Sequence, residues 1–136
     1  MPNAEKRILW IEDDWDRLIG IMKPLESGYR ITTAMSEKEA LELLREETFD
    51  LIILDLIIPA GDEGQDDCDE LIGIRLAKKI RYLGLMIPII VLSVVNDRQT
   101  IYELKNIGIS EFLVKGRCLP SYLSSRVEYV LSEHNE

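Results

Sequence analysis

The run Leu-Ile-Ile-Leu-Asp-Leu-Ile-Ile-Pro at positions 51–59 decides the architecture of this chain. Its first four residues are uniformly apolar and do not alternate, the pattern of a strand buried on both faces of a parallel sheet. A carboxylate, Asp55, follows at once, and Pro59 with Gly61 marks a turn. Two other runs repeat the arrangement. Ile-Leu-Trp-Ile (8–11) leads into Glu12, Asp13 and Asp14, and Glu-Phe-Leu-Val (111–114) leads into Lys115. In an open parallel sheet, ligands bind in the crevice beyond the carboxyl ends of the strands. The placement therefore predicts that these acids and the lysine, distant along the chain, converge at one edge. Clustered carboxylates repel one another unless a cation or a proton intervenes. The set implies a hard metal ion, and Lys115 implies an anion beside it.

Working outward, strand and helix patterns alternate along the whole chain. A first strand is expected over 7–12, followed by a helix from about Asp14 that turns Leu18, Ile21, Met22 and Leu25 inward. Asp14 reads as the cap of that helix, and Pro24 is expected to loosen its last turn. A short second strand covers 29–34. Ser36 then caps a helix, with Glu39 completing a capping box. The third strand is 50–55. Residues 61–70 are acidic without apolar periodicity and read as a loop on the edge that carries the charged residues. The next helix runs to about Leu83 on Leu71, Ile72, Leu76 and Ile80, and a fourth strand spans 87–93. Asp97 caps a further helix that stops at Gly108. A fifth strand over 111–115 and a last helix over about 119–133 complete the pattern. The expectation is one doubly wound α/β domain over 1–136, structured from about 5 to 133, with helices on both faces of a parallel sheet.

Composition narrows the function classes. The chain has 136 residues and a formal net charge of −9, which argues against direct nucleic-acid binding, since phosphate contacts need clustered Lys and Arg. No apolar stretch approaches a membrane span, and residues 1–7 lack the apolar segment of a signal peptide, so a cytoplasmic protein with no membrane contact is expected. Cys68, Cys118 and the lone His134 form no metal-ligand spacing, which disfavours zinc. A redox link between the two cysteines runs against the reducing conditions expected in the cytosol.

These residues closely resemble the response-regulator receiver domain, the phosphoacceptor of two-component signalling. That family pairs two acids after strand one with an Asp after strand three, a Pro four residues later, a Ser or Thr after strand four and a Lys after strand five. Here those positions are Glu12 and Asp13, Asp55, Pro59, Ser93 and Lys115. Ile-Gly-Ile-Arg-Leu-Ala-Lys-Lys-Ile-Arg (72–81) also resembles the family's third helix. The resemblance implies a five-stranded, flavodoxin-like sheet of order 2-1-3-4-5. It implies that Asp55 accepts a phosphoryl group from a histidine kinase or a histidine phosphotransfer protein. Mg²⁺ (or Mn²⁺) would be held by Asp13, Asp55 and the backbone carbonyl of Ile57, with Glu12 acting mainly through water. Ser93 and Lys115 would contact the phosphoryl group, and Ser93 and Phe112 would form the switch. Output would come through the surface of the fourth helix, fifth strand and fifth helix, offered to a downstream protein or to a second copy. No turnover of an external substrate is expected.

The chain departs from the family pattern in places. Val94 stands where a small residue is usual, and Gly116 follows the lysine where proline is usual. Ile57 and Val95 put apolar side chains at positions that tune hydrolysis, which predicts a phosphoaspartate lasting on the order of hours. The acidic stretch 61–70 reads as an insert of about ten residues, either a solvated loop or a lid that selects a kinase. Two rivals remain at this level. A degenerate receiver that binds partners without phosphorylation is weakly favoured by Val94 and Gly116. A phosphohydrolase with Asp55 as nucleophile is disfavoured because Ile57, not an acid, follows two residues later.

Overall fold

The computed structural model describes residues 5–61 and 68–134. Its elements are β1 (Lys6–Ile11), α1 (Trp15–Glu26), β2 (Tyr29–Ala34), α2 (Glu37–Glu46), β3 (Leu51–Leu54), β4 (Ile58–Pro59), β5 (Cys68–Asp69), α3 (Glu70–Tyr82), β6 (Ile89–Ser93), α4 (Arg98–Ile107), β7 (Glu111–Val114) and α5 (Pro120–His134). Five strands form a parallel sheet in the order β2-β1-β3-β6-β7. Setting aside β4 and β5, which pair only with each other, this is the expected order 2-1-3-4-5.

Side chains on successive strand residues point to opposite faces, so each buried strand feeds two cores. Ile8 and Trp10 of β1, with Leu51 and Ile53 of β3, pack against Leu18 and Leu25 of α1 and Leu123 and Val127 of α5. Leu9, Ile11, Ile52 and Leu54 face the other way, onto Ala40 and Leu44 of α2, Leu76 and Ile80 of α3 and Leu104 of α4. Every residue of β3 is fully buried, which explains why its apolar run shows no alternation.

The helix ends are largely set by local chemistry. Ser36 Oγ accepts from Glu39 N at 3.1 Å, and Asp97 Oδ2 accepts from Thr100 N at 3.0 Å. Glu39 returns its carboxylate to Met35 N at 2.6 Å, one residue before the cap, rather than to Ser36. Gly108 ends α4 in the left-handed region, with φ 98°. Pro24 lies inside α1, which continues to Glu26.

Three further expectations need correction. Asp14 occupies the cap position of α1 but makes no side-chain capping bond, and its own N–H donates to Glu12 Oε2 at 2.9 Å. Leu71 is 65% exposed rather than inward, and Ile74 and Ala77 fill that face of α3. The stretch 61–70 is not loop throughout. Cys68–Asp69 pairs antiparallel with Ile58–Pro59, and α3 begins at Glu70 with Asp69 Oδ1 accepting from Leu71 N at 2.8 Å. Strands of two residues are too short for a period to show in sequence. Residues 62–67 of the acidic stretch lie outside the described residues.

Candidate metal and phosphate site

The sheet ladder itself delivers the charged residues. Just past the strands, Glu12 N donates to Ala34 O at 2.8 Å, Asp55 N to Ile11 O at 3.0 Å and Lys115 N to Ser93 O at 2.9 Å. The backbone bonding of the sheet thus continues through the first residue beyond β1, β3 and β7, and seats those residues side by side at the carboxyl edge.

Lys115 joins two acids that are far apart in the chain. Its Nζ donates to Glu12 Oε1 at 2.8 Å and to Asp55 Oδ2 at 2.9 Å. Glu12 is 1% exposed and Asp55 4%. Asp55 Oδ1 accepts from the Ile57 N–H at 3.3 Å. Glu12, Asp13 and Asp55 each offer a carboxylate oxygen, and these lie within 4.8 Å of one another. The set lines a cleft of about 430 Å³ with Asp14, Ile57, Val94 and Lys115.

The electrostatics follow from two buried acids sharing one lysine, with Asp13 beside them. Burial, reinforced by the charge of Asp55, raises Glu12 from its ordinary 4.5 to about 7, against the opposing hydrogen bond from Lys115. Burial would lower the Lys115 pKa, but its hydrogen bonds to Glu12 and Asp55 outweigh this and raise it. The carboxylates hold more negative charge than one ammonium can offset. Oxygen donors with excess negative charge suit a hard divalent cation, so the residues present fit Mg²⁺.

The structure brings Glu12, Asp13, Asp55, Ile57, Val94 and Lys115 into one cleft, while Ser93, Val95 and Phe112 are not among its lining residues. Ser93 is fully buried, and its Oγ accepts from Val95 N at 3.3 Å, a local turn bond. Val95 and Phe112 pack against the core under α2, α3 and α4. One side of Phe112 also lines a groove of about 590 Å³ with Ile101, Lys105 and Ile109. Val94 is 57% exposed, at the rim of the cleft rather than across it. Gly116 has φ +92°, a conformation that L side chains rarely adopt, and Arg117 N closes the turn on Val114 O at 3.1 Å. Cys118 is a buried free thiol, pushed up in pKa by burial. The Glu12 contact with the Asp14 N–H and the β4–β5 ribbon had no signal in the sequence.

Fold and cleft together define a class: a doubly wound α/β domain with three carboxylates and a lysine gathered at its strand ends. Residues 8–123 match the model of the response regulator receiver domain, and the chain belongs to that family. Transcriptional regulatory protein CrdR of Helicobacter pylori is 31% identical over 113 residues, covering 82% of this chain and 48% of that protein. Alkaline phosphatase synthesis transcriptional regulatory protein PhoP of Bacillus subtilis is 29% identical over 127 residues, covering 93% of this chain and 48% of that protein. The chain thus spans about half the length of these curated relatives. Among solved structures, a two-component response regulator from Clostridium difficile superposes with a TM-score of 0.79 at 27% identity, covering 96% of this chain and 99% of that one. A CheY-like receiver domain protein from Methanospirillum hungatei shares the fold with a TM-score of 0.79 at 22% identity, covering 97% and 98%. Among the described residues, no helix is long and apolar enough to cross a membrane.

Proposed function

We propose that Asp55 is the phosphoacceptor of this receiver domain and takes its phosphoryl group from a phosphohistidine on a histidine kinase or phosphotransfer protein. The observation that carries the reading is Lys115 Nζ, held between Glu12 and Asp55 in a cleft where three carboxylates converge. Asp13, Asp55 and the Ile57 carbonyl would hold Mg²⁺, with Glu12 acting on it mainly through water. When bound, the ion neutralises charge on the equatorial phosphoryl oxygens.

The chain's own residues supply the rest. Asp55 is the nucleophile: one of its carboxylate oxygens forms the new bond to phosphorus as the phosphorus–nitrogen bond breaks and its electron pair returns to the donor imidazole. No general base is required, because the attacking carboxylate carries no proton to remove. Lys115 already donates to Asp55 and is placed to follow the negative charge onto the phosphoryl oxygens. Ser93 Oγ accepts from the Val95 N–H and can still donate its own O–H to a phosphoryl oxygen, toward which it would have to move out of its buried position. That movement would couple phosphorylation to Phe112 and the groove between α4 and β7. A downstream protein or a second copy would read this surface.

Intact mass after incubation with Mg²⁺ and acetyl phosphate, beside Asp55→Asn, tests the reading. One phosphoryl adduct that vanishes in the variant is the expected result. An adduct that persists in Asp55→Asn overturns the assignment.

A further inference from the structure

The segment that leaves Asp55 is held from three sides. Gly73 of α3 donates its N–H to Leu56 O at 3.0 Å, and its missing side chain makes room for that approach. A Cβ on Gly73 would stand 2.3 Å from Leu56 Cα and 2.4 Å from Leu56 O, distances that cannot be accommodated without moving backbone. Two residues on, Ile58 pairs with Asp69 in the β4–β5 ribbon, and its side chain is fully buried. Two residues further, Ala60 O accepts from Lys38 N of α2 at 2.9 Å. Between the buried Leu56 and Ile58, Ile57 alone faces the cleft.

We infer that α3, through Gly73, and the ribbon, through Ile58, are positioning elements for the metal: they hold the Asp55–Ile57 arm in its receiving geometry before the ion arrives. The inference rests on the metal reading above. A hard octahedral ion such as Mg²⁺ tolerates little error in ligand placement. An arm already fixed at Leu56, Ile58 and Ala60 loses less conformational freedom on binding than a free loop of the same length. The clamp also gives the acidic insert a physical role at its base, because β5 is the strand that returns from it. The α2 start and the insert base thereby become part of what sets metal affinity.

Calorimetric titration of the full chain with Mg²⁺, with tryptophan fluorescence as a second readout, tests this on Gly73→Ala, Ile58→Ala and Val127→Ala. Val127 is fully buried in the opposite core, so Val127→Ala reports what lost stability alone does to the site. The expected result is Mg²⁺ binding weakened about tenfold or more in the two arm variants, as for other supports of metal ligands, and unchanged in Val127→Ala. If Gly73→Ala fails to fold, Ile58→Ala carries the test. Ile58→Ala binding Mg²⁺ as the wild type does overturns the inference while leaving the metal reading intact. A wild type that binds no Mg²⁺ overturns both.

Discussion

Glu12→Gln removes a carboxylate that the fold holds against its ionisation, while keeping an oxygen able to accept from Lys115. In the wild type, burial holds Glu12 at about 7 against its ordinary 4.5. At about 1.4 kcal/mol for each tenfold change in proton affinity, this corresponds to about 3 kcal/mol. The sign follows from proton counting. Between pH 4.5 and about 7 the folded chain binds more protons at Glu12 than the unfolded chain does, so stability falls as pH rises through that window. The contribution of Glu12 is thus most favourable below 4.5 and is lost once pH passes about 7. Glutamine does not titrate. Denaturant unfolding of both proteins in chelator is therefore expected to give a stability difference that shifts toward Glu12→Gln by up to about 3 kcal/mol as pH rises to about 8, on top of a pH-independent cost because the Asp14 N–H loses its acceptor. Saturating Mg²⁺ is expected to narrow the gap, because the ion stabilises the wild type by binding its folded state. Two pH profiles that run parallel would refute the reasoning, for they would mean that Lys115 fully compensates the Glu12 charge.

Lys115→Ala leaves Glu12 and Asp55 buried together without their cation, and is expected to destabilise the metal-free protein by about 3–5 kcal/mol in thermal melts, with partial recovery on adding Mg²⁺. Val94→Ala should change stability by no more than about 0.5 kcal/mol, since Val94 is an exposed rim residue. The same variant should speed phosphorylation by acetyl phosphate, followed by mass against time; an unchanged rate would remove Val94 from control of access. The phosphoaspartate is expected to persist on the order of hours without a phosphatase, because the apolar Ile57 in the cleft positions no water; decay within seconds would refute that account. Asp97→Ala, which removes the cap of α4, should lower the midpoint of denaturant unfolding.

How far the fold and site were legible differs by residue. The apolar runs at 8–11, 51–54 and 111–114, and the caps at Ser36 and Asp97, are local signals: strand burial and cap chemistry are written within a few neighbouring residues. The convergence of Glu12, Asp13, Asp55 and Lys115 followed from strand order, because a parallel sheet collects its carboxyl ends at one edge. Leu71 was misplaced because a helix pattern does not say where the helix starts relative to its support. The β4–β5 ribbon was illegible because two-residue strands carry no period. The sequence by itself determined the types and order of the five sheet strands and five helices, and the residues that could carry charge chemistry at the strand ends. Tertiary structure alone decided that Lys115 bridges Glu12 to Asp55, that Glu12 is held near neutral pH and that Gly73 closes on Leu56. Periodicity and capping act between neighbours in the chain, whereas burial, ion pairing and close backbone approach depend on which distant segments the fold packs together.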